Sequence, residues 1–146
     1  MVSLPSIPIL LRDTMITPVI SLSENASVLN AVKLMAENDI GCIVVTNSNG
    51  QVCGILSERD VISVLGAKGF IENLKVKDIM SRNVYCMREE NTIVEALRVM
   101  LERKIRHLPV VDNRSTLKGI VSLRDVANKV FTNLMTILSY VVSRKT

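Results

Sequence analysis

The octapeptide GILSERDV, Gly54 to Val61, returns sixty-five positions later as GIVSLRDV, Gly119 to Val126. A recurrence of this kind outranks any single-element assignment, because a missed repeat misassigns everything built on it. Sliding the chain against itself by 65 positions aligns Asp13 with Asp78, Met15 with Met80, Ala31 with Ala96 and Met35 with Met100. No gap is needed from Asp13 to Val61, and fifteen of those 49 positions are identical. The chain is two copies of one unit.

Each copy reads in the same order. A short β segment opens it, Val19 to Leu22 in the first copy and Val84 to Met87 in the second. Apolar residues at helical spacing follow, Val28, Ala31, Val32 and Met35, matched by Ile93, Ala96, Leu97 and Met100. Ser27 and Thr92 stand at the N-cap positions, and Thr92 with Glu95 has the spacing of a capping box. Two strands then form a hairpin: Cys42 to Thr46 with Val52 to Leu56, and His107 to Val111 with Leu117 to Val121. Asn49-Gly50 signals a tight turn in the first. With the turn centred there, Cys42 falls opposite Ser57 and Cys53 opposite Thr46. A second helix opens at Ser57 and ends near Gly66 or Gly69; its counterpart opens at Ser122 and runs almost to Arg144.

The expected fold is mixed α/β, with two β-α-β-β-α repeats packed sheet to sheet about a pseudo-two-fold axis. Neither half buries a full core alone. Residues 1–10 read as an N-terminal segment, 11–69 as the first repeat, 70–76 as a connector, 77–130 as the second repeat, and 131–146 as an extension of the last helix.

Composition narrows the function. The chain has 146 residues, 48% hydrophobic and 22% charged, enough to bury a core. Only 3% are aromatic and none is Trp, so the core is aliphatic and methionine-filled. That scarcity argues against the stacking platforms that bind single-stranded nucleic acid. Gly66-Ala67-Lys68-Gly69 matches a GXXG loop, but a helix C-cap accounts for it. Net charge is +4, too mild to name a partner. Three cysteines, no C-x-x-C and a single histidine argue against a zinc site or a disulfide framework, and point to the cytoplasm. The N-terminus lacks a basic leader and is broken by Pro5 and Pro8, unlike a signal peptide. Val130 to Val142, thirteen residues, falls short of the roughly 20 that span a bilayer. No Walker loop, G-x-G-x-x-G or H-E-x-x-H occurs, and an enzyme is not expected.

The octapeptide itself is a strand turning directly into a helix. Ser57 and Ser122 are N-caps, and Asp60 and Asp125 complement the helix dipole. The same position, outside the carboxyl end of a strand, offers free N–H groups to an anion and an acceptor to a ribose diol. Glu58 against Leu123 reads as divergence at a solvent-facing position.

The tandem pattern resembles a pair of CBS domains, named after cystathionine β-synthase. The resemblance rests on Asp13-Thr14-Met15 and Asp78-Ile79-Met80, on His107-Leu108-Pro109-Val110-Val111-Asp112, and on GILSERD with GIVSLRD, and covers roughly Leu11 to Lys129. It implies a regulatory module that takes an adenosine-containing ligand (AMP, ADP, ATP, S-adenosylmethionine or NAD) between the copies, pairs into a homodimer and signals to an effector protein. It places Asp60 and Asp125 on ribose hydroxyls, Ser57 and Ser122 near ribose or phosphate, and Ile55 and Ile120 along the base. Val84 and Tyr85 would hold adenine with Asp60, and Val19 and Ile20 with Asp125. Arg106 and His107, with Lys118, replace uncharged residues of copy one and suit a phosphate; Arg59 and Arg124 are expected to point to solvent. No metal and no required cofactor are implied. A ligand-free interaction scaffold and a nucleic-acid-binding regulator are the alternatives. The last helix carries a further apolar stripe, Val126, Val130, Leu134, Ile137, Leu138 and Val141, widened by Phe131, Met135 and Val142. It suits a dimer interface, or docking on the strip Ile7, Ile9, Leu10 and Leu11.

Overall fold

A computed structural model of the chain describes residues 9–145; Ile7 lies outside them. One turn of 3-10 helix (Leu11–Asp13) precedes β1 (Ser21–Ser23), α1 (Val28–Asn38), β2 (Cys42–Thr46), β3 (Val52–Ser57) and α2 (Glu58–Lys68). The second copy follows as α3 (Val76–Ile79), β4 (Met87–Arg88), α4 (Ile93–Arg103), β5 (His107–Val111), β6 (Leu117–Ser122) and α5 (Leu123–Ser143). Two three-stranded sheets result, ordered β1-β2-β3 and β4-β5-β6, each with one parallel and one antiparallel pairing.

The local devices follow the sequence. Ser27 Oγ accepts from Asn30 N–H at 3.0 Å, and Thr92 and Glu95 close a capping box. Gly69, not Gly66, caps α2; it adopts φ +80° and its N–H returns to Leu65 O. Both hairpins carry a bulge at the same place, between Val45 and Thr46 and between Val110 and Val111. Thr46 pairs with Val52, so Cys53 is the extra bulge residue rather than the partner of Thr46; Cys42 does face Ser57. The opening strands are shorter than expected. Val19, Ile20, Val84 and Tyr85 lie outside the ladders. In copy two the register Met87 to Val110 brings Cys86 level with Pro109, which has no N–H to offer.

The pseudo-two-fold can be read from hydrogen bonds. Val52 N–H donates to Ser115 O at 3.1 Å, and sixty-five positions on, Leu117 N–H donates to Gly50 O at 3.0 Å. The two hairpin ends are thus stitched together across the axis, with Gln51 bridging Thr116.

A second set of paired bonds shows that the copies exchange their leading segments. Leu11 N–H donates to Asn91 O, Arg12 N–H to Glu89 O, and Ile93 N–H to Ile9 O. Their images run the other way: Val76 N–H to Ala26 O, Lys77 N–H to Glu24 O, and Val28 N–H to Leu74 O. Two cores result. Leu11 is fully buried with Met87, Ile93, Met100, Leu108 and Val126, and Met15 packs against them. Val76 and Met80 join Val28, Met35, Ile43 and Leu56. Each half borrows a lid from the other.

The exchanged methionines seat on the repeated glycine. A Cβ built on Gly54 would collide with Met80 Sδ, and one on Gly119 with Met15 Sδ. The glycine opening each octapeptide is therefore a close-approach position, where the partner copy's methionine lies against the backbone.

Candidate functional site

Each hairpin ends by turning straight into a helix. The first N–H of α2, on Glu58, donates to Gly41 O at 2.9 Å; that of α5, on Leu123, donates to Arg106 O at 2.8 Å. These bonds hold the strand starts beside the helix starts, and the two sets meet near the pseudo-axis. Gly41, Cys42 and Glu58 of copy one and Arg106, His107 and Leu123 of copy two line one cleft of about 760 Å³.

The exchanged segment builds its far wall. Ile16 and Ile120 trade backbone hydrogen bonds at 2.9 and 3.1 Å. The chain leaving that bridge carries Pro18, Val19 and Ile20 into the cleft, opposite Ile120, Ser122 and Asp125. Val19, Ile20, Ile120, Ser122, Asp125, Arg106 and His107 are thus brought together. Ile55, Ser57, Asp60, Val84 and Tyr85 do not line this cleft. They take the positions related to its lining by the 65-residue repeat, where Ser81 and Ile55 trade the matching bonds at 2.9 and 3.0 Å.

The two acids differ. Ser57 and Asp60 form a closed capping box: Ser57 Oγ accepts from Asp60 N–H at 3.2 Å, and Asp60 Oδ2 accepts from Ser57 N–H at 2.9 Å. Ser122 Oγ accepts from Asp125 N–H at 3.0 Å, but no return bond to the Asp125 carboxylate forms. Tyr85 carries the Arg103 guanidinium over its ring, 4.0 Å from the centroid.

Charge in the cleft is mixed. Burial lowers the pKa of His107 from its ordinary value, Arg106 lowers it further, and Glu58 opposes both. A Cβ on Gly41 would lie 3.4 Å from Glu58 Oε1 and 3.8 Å from His107 Cε1, so this glycine is where the two approach across the axis. Asp39 and Arg124 complete the charged lining. The sequence reading missed Glu58, Leu123, Arg124 and Asp39. Glu58 and Leu123 are not merely solvent-facing: each begins a helix at the axis, and both line the cleft. Arg59 and Arg124 are both exposed, and Arg124 also stands on the cleft lining. Lys118 sits at the hairpin bulge with its Nζ 3.9 Å from Asp112 Oδ2, away from the cleft lining.

Cys42, on the cleft floor, is buried and its thiol is pushed up to about 12 by desolvation. Among the described residues no cluster of His, Cys, Asp and Glu is placed to hold a metal, and no helix is long and apolar enough to cross a membrane.

Residues 11–67 and 76–131 each match the family model of the CBS domain. The chain belongs to the CBS-domain family, as a tandem pair. It is 33% identical over 111 residues to an uncharacterized 17.7 kDa protein of Acidianus ambivalens, covering 76% of this chain and 66% of that one. To the CBS domain-containing protein YhcV of Bacillus subtilis it is 33% identical over 116 residues, covering 80% and 81%. The chain spans only part of several other relatives, for instance 23% of an inosine-5′-monophosphate dehydrogenase from Methanocaldococcus jannaschii. The CBS pair of protein MJ0100, solved with 5′-methylthioadenosine and S-adenosyl-L-methionine, superposes with a TM-score of 0.76 at 26% identity, covering 85% of this chain and 96% of that one. CBSX2, solved with AMP, gives 0.74 at 25%, covering 84% and 96%.

Proposed function

We propose that this CBS pair is a regulatory module that holds an adenine nucleotide or another adenosyl ligand (AMP, ADP, ATP or S-adenosylmethionine) between its repeats and signals occupancy to a partner protein. The observation that carries the reading is the lining of the Asp125 cleft. Val19, Ile20 and Ile120 offer an apolar slot for a base, Asp125 an acceptor for a ribose diol, and Ser122, Arg106 and His107 donors for phosphate. Two similar pairs, solved with AMP and with S-adenosyl-L-methionine and 5′-methylthioadenosine, support it. No catalytic role and no resident cofactor are proposed. The free cysteines, all with raised pKa values, suit a reducing cytoplasm.

The test is a thermal-shift panel with AMP, ADP, ATP, S-adenosylmethionine and NAD. Ligand a hundredfold above its dissociation constant stabilises by about 2.7 kcal/mol. No stabilisation by any of them at millimolar concentration sinks the reading.

Assembly as a homodimer belongs to the same proposal, and the distal half of α5 supports it. Val126 is buried and Val130 packs against the core that holds Leu11. Beyond them Phe131, Leu134, Met135, Ile137, Leu138, Val141 and Val142 are exposed, more apolar surface than a solvated helix needs. The same surface keeps a ligand-free scaffold as the second reading, which the thermal-shift panel separates from the first.

A further inference from the structure

The two clefts of this chain descend from one duplicated unit, yet the structure treats them differently, and the difference bears on how many ligands the pair holds. We propose that the Asp125 cleft alone takes the adenosyl ligand, and that the matching groups at Asp60 and Tyr85 are engaged by the chain itself. The proposal rests on the ligand-binding reading above and sharpens it to one ligand per chain.

The first observation is at the acids. A carboxylate grips a ribose diol best with both oxygens. Asp60 has committed Oδ2 to its own helix start, accepting from Ser57 N–H at 2.9 Å. Releasing that oxygen leaves the first N–H of the cap unpaired. Asp125 has no such bond, and its carboxylate stands on the wall of an open cleft. Sequence identity at the two positions conceals this inequality.

The second observation is at the wall that faces the base. In the Asp125 cleft it is aliphatic and uncovered, Val19 and Ile20. In the Asp60 cleft the corresponding positions are Val84 and Tyr85, and the Tyr85 ring is already stacked under Arg103 at 4.0 Å. The guanidinium thus covers one face of the ring that an adenine would meet there. Arg103 and Lys104 stand where the first copy has Asn38 and Asp39, so the stack has no counterpart in the open cleft.

The third observation concerns charge. His107, the one histidine, and Arg106 line the Asp125 cleft. They provide the donors that a phosphate or carboxylate group on the ligand needs, beside the free Asp125.

Equilibrium dialysis of the intact chain with labelled AMP and with labelled S-adenosylmethionine tests the assignment. One equivalent per chain is expected. Asp125→Asn weakens binding about ten- to a hundredfold, the loss of a charge-assisted pair of bonds. Asp60→Asn, which keeps a side-chain oxygen for the cap, shifts affinity less than about twofold. Two tyrosines and no tryptophan allow a second readout. In a Tyr140→Phe background, the emission of Tyr85 is expected to stay constant through saturation. Two equivalents per chain, quenching of Tyr85 in step with occupancy, or loss of binding in Asp60→Asn but not Asp125→Asn overturns the assignment while leaving the ligand-binding reading intact. Binding of neither probe refutes that reading and this one together.

Discussion

Replacing Gly119 by Ala tests the exchange of segments directly. The added Cβ would fall on Met15 Sδ, 2.7 Å from its Cγ and 2.9 Å from its Cβ. The close approach to Cβ matters, because that atom is fixed by the backbone and no rotamer moves it. At Gly54 the image clash is with Met80 Sδ, but Cε and Cγ stand off at 3.0 and 3.1 Å, so swinging the end of the side chain relieves much of it. Neither glycine adopts a left-handed φ, which leaves sterics as the whole penalty. Overpacking of this kind costs about 1–3 kcal/mol, offset by about 0.4–1 kcal/mol from removing glycine's freedom in the unfolded chain. The net is a loss of about 1–2 kcal/mol for Gly119→Ala and about half that for Gly54→Ala. At roughly 4 °C per kcal/mol for a chain of this size, Tm falls by about 4–8 °C in the first case. Urea unfolding followed by circular dichroism measures it. The double variant Met15→Ala/Gly119→Ala closes the cycle: the clashes with Sδ and Cγ are gone and only the Cβ approach at 2.9 Å remains, so the alanine costs less than in the parent, a coupling of about 0.5–1 kcal/mol. A Gly119→Ala chain as stable as the parent, or additive costs in the cycle, refutes the cross-copy packing.

Three other outcomes follow from the cleft and the last helix. His107 has a lowered pKa in the unliganded fold, so its contribution to stability is complete above the unfolded value near 6.5 and is lost as pH falls through the folded one. An anionic ligand raises that pKa; AMP binding should therefore take up protons and tighten between pH 8.0 and 6.5, measured by calorimetry in buffers of different ionisation heat, and His107→Gln should flatten the profile. Glu58, Asp39, Asp125, Arg106 and Arg124 share the cleft and set the size of the effect, not its sign. Truncation after Lys129 removes the exposed apolar half of α5, and light scattering should report a smaller assembly; an unchanged size and Tm sinks the dimer role of that helix. Cys42, buried with its thiol near 12, should resist alkylation at pH 8 in the folded chain and react after unfolding; mass spectrometry of the labelled peptide decides it.

Much of the fold was legible because the signals were local and occurred twice. Ser57 and Ser122 cap helices as their spacing requires, and α5 runs to Ser143 as its pattern implied. Val19, Ile20 and Asp125, which the resemblance groups, line one cleft. What stayed hidden was every property that depends on which copy a residue meets. Met15 aligns with Met80 and Gly54 with Gly119 whether each methionine packs on its own copy or the other, since a shift of 65 maps either arrangement onto itself. Contacts in the folded chain separate them, among them the hydrogen bonds from Leu11 to Asn91 and from Val76 to Ala26 and the seats of Met15 on Gly119 and Met80 on Gly54. Glu58 and Leu123 misled for a related reason. Residues at a pseudo-axis face each other, so the duplicated unit has no cause to keep them alike, and their divergence reads like surface drift.

On the ligand-binding proposal above, the exchange would also couple a ligand to the whole chain. The wall of Val19 and Ile20 belongs to the first copy in sequence, yet the bridge between Ile16 and Ile120 anchors it to the second. Asp125 lies five residues past that bridge, at the start of α5. A ligand clamped between Ile20 and Asp125 therefore pulls on the seat of Met15 over Gly119, on the burial of Leu11 and on the helix that carries the exposed apolar face. Coupling of this sort needs a two-state element that occupancy biases; α5, which begins beside Asp125 and carries the exposed apolar face, is the element we propose for it. If so, Gly119→Ala should weaken AMP binding as well as stability, because the wall it unseats is the wall the ligand uses; Gly54→Ala, acting on the other cleft, should cost stability alone. Equal losses of affinity in the two variants would break the link between the exchanged segment and the site.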